Sequence, residues 1–213
     1  MKLVVFSPEA PDPREIDVIA ELFARGLERY HVRKPHEPRP ALAAWLTELP
    51  AEWRKRMVLH QHHELVDTLG LGGRHFRAVP ASAGGPPAPD AGQRPALPGI
   101  TSRSCHELAA LRSALGRYDA VFFGPVFPSI SKPGYGPRAE FSAKDVAALL
   151  ASRSADEQRR TDVLALGGVT SENIAQCRAL GFDGVAVLGA VWHASDPVAA
   201  FANLQEEILT HVD

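Results

Sequence analysis

Apolar and polar positions along this chain repeat with two periods. Short segments at 2–7, 30–33, 56–61, 73–77, 99–102, 120–124, 163–166 and 184–188, several of them apolar, read as strands. Between most of them apolar residues return every three or four positions, as Ile16, Ile19, Ala20 and Phe23 do within 14–25. Helices are predicted there and at 41–48, 64–69, 107–115, 143–151, 171–180 and 197–209. Ser171-Glu172 and Ser195-Asp196-Pro197 suit helix starts, and Gly181 falls where a C-terminal cap belongs.

The alternation fails once. Residues 80–99 contain six prolines and four glycines, a composition that cannot sustain a helix, so a loop is expected in place of the helix after the fourth strand. Eight strands, seven of them followed by a helix, predict an α/β fold: a single (β/α)8 TIM barrel, with one domain over 1–213. A doubly wound sheet is the competing architecture. Eight regular units with polar residues after several strands favour the barrel.

Composition narrows the function. The 213 residues carry a net charge of −2, with the basic residues dispersed, so there is no electrostatic footprint for nucleic acid. The apolar run at 3–6 is too short for a signal-peptide core, and no segment reaches the length of a membrane span. Cys105 and Cys177 lie far apart without metal-ligand spacing, as expected of free thiols in a reducing compartment. The expected location is the cytoplasm, with no membrane partner.

In a barrel the chemistry gathers at the C-terminal strand ends. The last two strands run into Gly167-Gly168 and Leu188-Gly189, where backbone N–H groups can form a phosphate cup. After the second strand, Arg33 and Lys34 bring two positive charges to the rim. After the third stands His60-Gln61-His62-His63-Glu64; neighbours on an extended strand face opposite ways, so this run does not converge on one ion, and no metal site is expected. His75, ending the fourth strand, reads as a packed or hydrogen-bonded histidine.

Ser104-Cys105-His106 follows the fifth strand. His106 is the best general acid or base, with Ser104 or Cys105 to orient it. After the sixth strand, Ser129 and Ser131 flank Ile130 and lead to Lys132, two hydroxyls and a cation suited to an anionic substrate.

With HVRK at 31–34, SCH at 104–106, GPVFPSISK at 124–132, ALGGV at 165–169 and GVAVLGAVW at 184–192, the chain resembles the thiamine phosphate synthase/TenI superfamily. The resemblance implies a barrel acting in thiamine biosynthesis, with a thiazole phosphate held by Gly167, Gly168, Leu188 and Gly189. It also implies that Lys132, Ser129, Ser131 and Arg33 contact phosphate or diphosphate.

The chain departs from the pattern in two ways. Pro35 stands where the synthase has a lysine two residues beyond the arginine. More important, the synthase couples hydroxymethylpyrimidine diphosphate to the thiazole phosphate using Mg2+ held by two aspartates, and their positions hold Gln61 and the carboxylate-free stretch 76–80. Glu64 and Asp67 look like helix residues. TenI-type relatives instead isomerise a carboxythiazole phosphate, which needs a phosphate cup and a proton shuttle but no cofactor.

The expectation is therefore a thiazole tautomerase with His106 as shuttle. A synthase with a divergent Mg2+ site is the alternative, and a non-catalytic binding or regulatory relative the third possibility. A homo-oligomer is also open, since Trp192 and Phe201 suit either a dimer face or packing of the last helix.

Overall fold

In the computed structural model, residues 1–78, 99–130, 134, 136–137 and 142–210 are described. β1 (Lys2–Phe6) leads to α1 (Glu15–Ala24), and β2 (Arg29–Val32) to α2 (Arg39–Glu48) and a short α3 (Ala51–Arg54). β3 (Met57–Leu59), α4 (Glu64–Leu69), β4 (Gly73–Phe76) and β5 (Ile100–Cys105) follow. Next come α5 (Leu108–Ala114), β6 (Ala120–Phe123), α6 (Ala143–Ala151) and α7 (Ala155–Arg160). β7 (Asp162–Leu166) enters a 3-10 turn (Ser171–Asn173) and α8 (Ile174–Ala179); β8 (Gly184–Val187) enters α9 (Gly189–Trp192) and α10 (Pro197–Leu209).

All eight strands pair in parallel and in chain order, and β8 returns to β1 through the register Lys2↔Gly184 to Val5↔Val187. The (β/α)8 barrel expected from the sequence is therefore present. Trp192 reinforces the closure: its Nε1–H donates to the Phe6 carbonyl at 2.7 Å. Trp192 and Phe201 are buried in the chain's own core. The loop predicted at 80–99 lies, apart from Gly99, outside the described residues.

The short helices α3, α7 and α9 are additions to the predicted elements. α7 reads ADEQRR and has no apolar stripe to mark it; only its capping box, in which Ser154 and Glu157 exchange backbone contacts, signals a helix in the sequence. α9 is hidden inside the apolar run 184–192. β5 runs three residues past its predicted end, so Ser104 and Cys105 belong to the strand itself.

Two apolar layers result. Outward-facing strand residues such as Val5, Tyr30, Leu59, Cys105, Phe123 and Val185 pack under the helices. The barrel interior differs from one side to the other. β1 and β6 to β8 fill it with Val4, Phe6, Phe122, Leu164 and Ala186, whereas β2 to β5 bring in buried His31, His60, His75 and Ser102. The polar half lies directly below the C-terminal mouth.

Candidate functional site

That mouth opens into a cleft of about 430 Å³ lined by Phe6, Glu9, Arg33, Pro35, His60, His75, Arg77, Ala78, Ser104, His106, Ser129, Leu166 and Leu188. A hollow at the opposite mouth is lined by charges of both signs, with Lys2 held to Asp162 at 2.5 Å. The C-terminal cleft is where barrel chemistry is found.

Its β6 to β8 wall is built from backbone. Gly167 and Gly168 have φ of 90° and 67°, a region that disfavours other residues. Gly168 is also packed so tightly beneath the loop after β6 that a Cβ there would lie 2.3 Å from the Pro128 carbonyl oxygen. Asn173 fixes this turn by donating from Nδ2 to the Gly168 carbonyl at 2.9 Å. Gly189 starts α9, so its N–H and that of Ala190 have no intrahelical acceptor. Ile130, 45% exposed, folds against Gly189. Ser129, Leu166 and Leu188 line this side of the cleft, and Gly167, Gly168 and Gly189 follow the two leucines in the chain. Ser131 and Lys132 lie outside the described residues.

The β2 to β5 wall is built from side chains. Arg33 faces the cleft and pairs with Glu9. Lys34, expected beside it on the rim, is a correction. Adjacent strand residues point to opposite faces, and its ammonium is buried under α1, donating to Glu15 Oε2 at 2.5 Å. Glu15 also accepts from the Tyr30 hydroxyl at 2.8 Å. Burial raises the Glu15 carboxyl despite the pull of Lys34 in the other direction. Lys34 braces the barrel wall and does not line this cleft. Arg77, not singled out in the sequence, lines the cleft instead.

His31, His60 and His75 converge from three neighbouring strands. His31 Nδ1 lies 3.1 Å from His60 Nε2, and the rings of His60 and His75 stack with centroids 4.0 Å apart. Burial pushes the His31 imidazole down to about 3 and those of His60 and His75 well below the usual histidine range. The nearby Arg33 charge adds to the depression at His60 and His75. All three are therefore neutral near pH 7. His63, three residues after His60, turns aside to bond the His75 carbonyl at 3.1 Å. The sequence signal for the convergent set is one histidine near the end of each of three successive strands, a pattern obscured by the denser run at 60–63.

His106 sits on the cleft wall, its Nδ1–H donated to the Gly124 carbonyl at 2.5 Å. This leaves the Nε2 lone pair to accept a proton or a hydrogen bond. Gly124 is required at that corner, where a Cβ would fall 2.0 Å from the Leu166 carbonyl oxygen. The predicted orienting role of Ser104 or Cys105 needs correction. Ser104 Oγ bonds His75 Nε2 at 2.8 Å. Cys105 faces the helix layer, where burial pushes its thiol up to about 12.

Among the described residues, Glu9 is the carboxylate lining the cleft. Glu64 pairs with Arg39 at 2.9 Å and Asp67 with Arg74 at 2.5 Å, both as members of α4. The Gln61 amide turns away to bond the Lys34 carbonyl.

Comparison with known proteins agrees with this architecture. The chain is 35% identical over 113 residues to thiamine-phosphate synthase of Salinispora tropica, covering 53% of this chain and 50% of that protein. It is 32% identical over 118 residues to the thiamine-phosphate synthase of Methanoregula boonei, covering 55% and 50%. The chain thus spans about half the length of the curated relatives it matches. The crystal structure of thiamine phosphate pyrophosphorylase from Bacteroides thetaiotaomicron superposes with a TM-score of 0.75 at 25% identity, over the full length of both chains.

These relatives carry the synthase name, which favours the transferase alternative over the tautomerase set first in the sequence reading. No described helix is long and apolar enough to cross a membrane. The family described as thiamine monophosphate synthase matches residues 3–191, and the chain belongs to that thiamine-biosynthesis family.

Proposed function

We propose that this chain is a transferase of the thiamine-phosphate synthase type. It seats a thiazole phosphate on the glycine ends of β7 and β8 and a hydroxymethylpyrimidine diphosphate against Arg33 and Arg77. The bond from the pyrimidine methylene to its diphosphate oxygen breaks, and pyrophosphate leaves with the electron pair. The thiazole nitrogen then bonds that methylene.

The observation that carries this reading is a cleft with Arg33 and Arg77 among its lining residues and, on another side, Leu166 and Leu188, which run directly into Gly167-Gly168 and Gly189. A one-substrate isomerisation needs a single phosphate site. Guanidinium groups bind diphosphate oxygens in pairs and stabilise charge developing on a leaving pyrophosphate. The cytoplasm suits this reaction, and the two free buried cysteines support that location.

Mg2+, implied by the resemblance for a synthase, finds no suitable donor set among the described residues. A hard dication is bound by anionic oxygens, and Glu9, the carboxylate at this cleft, is committed to Arg33. The arginines take the diphosphate charge in this proposal. His106 offers Nε2 toward the reacting groups, where it accepts a substrate hydrogen bond.

One observation favours a second reading. A histidine on the cleft wall with Nδ1–H pinned to a carbonyl has its ring oriented to act as a proton shuttle, as a thiazole tautomerase requires.

The two are separated by incubating the chain with thiazole phosphate and hydroxymethylpyrimidine diphosphate, with and without Mg2+, and in parallel with the carboxythiazole phosphate. Formation of thiamine phosphate is expected. Tautomer conversion without coupling would establish the second reading, and ligand binding with neither would make this a non-catalytic relative. His106→Asn is expected to lower coupling turnover about 100-fold through lost positioning. Its thiazole phosphate Kd should stay within about threefold of the parent's, since this proposal seats the phosphate at the ends of β7 and β8, away from His106.

A further inference from the structure

We propose that His31, His60 and His75 form a transition-metal site, suited to zinc, at the floor of the cleft. The site does not rest on which reaction the chain performs, because its ligands and its test involve no substrate.

Geometry carries the proposal. His31 lies in β2, His60 immediately after β3 and His75 in β4, three adjacent strands, and the three rings meet in the barrel interior. One ring nitrogen from each lies within 4.8 Å of the others. Tetrahedral zinc with Zn–N bonds of about 2.0–2.1 Å places its nitrogen ligands roughly 3.4 Å apart. The His31 Nδ1 to His60 Nε2 separation of 3.1 Å is already near that value. Ligation would draw His75 in from the 4.8 Å limit within which the three nitrogens already lie.

Ser102 and Ser104 hold the two ring nitrogens of His75 at 2.9 and 2.8 Å. A bound ion replaces one of these contacts, and the other stays as the outer partner that fixes the ring. His60 and His75 both line the cleft, so the fourth coordination position opens toward it. Three protein ligands with an open position is the arrangement of a reactive zinc, not a closed structural one.

The interior does not require histidines for packing. At the same level β1 and β6 to β8 fill it with Phe6, Phe122 and Leu164, and Phe6 stacks on His31 at 5.1 Å. Burying three imidazoles in place of such residues costs desolvation that ligation would offset. Burial also keeps them neutral, as metal ligation requires. Imidazole nitrogens select zinc and its transition-metal neighbours, whereas magnesium takes oxygen donors. This wall therefore offers a different ion from the one the family resemblance implies.

The test uses the full chain, purified without a histidine tag, stripped with chelator and titrated with Co2+ alone. One equivalent is expected to give the intense visible absorption of a four- or five-coordinate cobalt, displaced by one equivalent of Zn2+. His60→Asn and His75→Gln should each weaken Co2+ binding more than about 100-fold, beyond the range of an outer-shell partner. His36→Ala and His62→Ala should leave it unchanged. Circular dichroism checks that the variants fold; if neither ligand variant does, the parent spectrum decides. Absence of saturable binding, a weak octahedral spectrum, or binding that survives in folded His60→Asn and His75→Gln would overturn the site.

Discussion

The two walls of the cleft are built by different means. On the β6 to β8 side, ligand contacts are expected from backbone, shaped by Gly168 and Gly189 and covered by the loop that carries Ser129 and Ile130. On the β2 to β5 side they come from side chains, Arg33, His60, His75, Arg77 and His106, which four separate chain segments bring together. A backbone site depends on a local conformation that few residues can adopt. A side-chain site depends on strand register and on which face each residue takes. The first is sensitive to a single added methyl group, while the second is dismantled one interaction at a time.

The most severe way to test that contrast is Gly168→Ala. Its Cβ would meet the Pro128 carbonyl oxygen at 2.3 Å in a backbone region with φ of 67°. Loss of thiazole phosphate affinity by more than about 100-fold, roughly 2.7 kcal/mol, is expected by calorimetry. Retained affinity would show that the phosphate does not use this turn.

A smaller effect separates neighbours on the other wall. Arg33→Gln should raise KM for the diphosphate substrate about tenfold, the scale of one charge-assisted hydrogen bond, and leave thiazole phosphate affinity unchanged. Lys34→Met should do the opposite of its neighbour. It leaves Glu15 buried with Tyr30 as its remaining partner, so stability falls by about 3 kcal/mol while both KM values hold. A KM effect at Lys34 would mean that it faces the cleft after all.

The mildest test is acid titration of the metal-free protein. The folded His31 imidazole is lowered to about 3, below its unfolded value near 6.5. The unfolded chain therefore binds the extra proton first as pH falls. The stability associated with neutral His31 is present above about pH 6.5 and is lost as pH drops toward 3. Each such histidine contributes up to about 1.4 kcal/mol per pH unit. Urea midpoints between pH 6.5 and 5, where most carboxylates are still ionised, should fall more steeply in the parent than in His31→Gln. Equal slopes would show that the histidine wall does not govern acid stability.

The barrel was legible because its strands and helices carry different apolar periods, and each period is a property of consecutive residues. α6 and α10 match their predicted bounds for that reason. α7 was hidden because a short, wholly polar helix has no apolar stripe, and the end of β5 was placed early because Ser102 to Ser104 is polar on the inward face as well. The two glycine-bearing strand ends could be read directly, since the residues that make the turn are neighbours in the chain.

The sequence by itself determined the eight-unit alternation, the glycine turns, the presence of His106 and the lack of aspartates at 60–61 and 76–80. Only the tertiary structure decided that Arg33 faces the cleft while Lys34 is buried against Glu15, that Arg77 joins the wall, and that His31, His60 and His75 meet. Local conformation is encoded over a few adjacent residues, whereas convergence depends on barrel closure and on the inward or outward register of strands up to tens of residues apart.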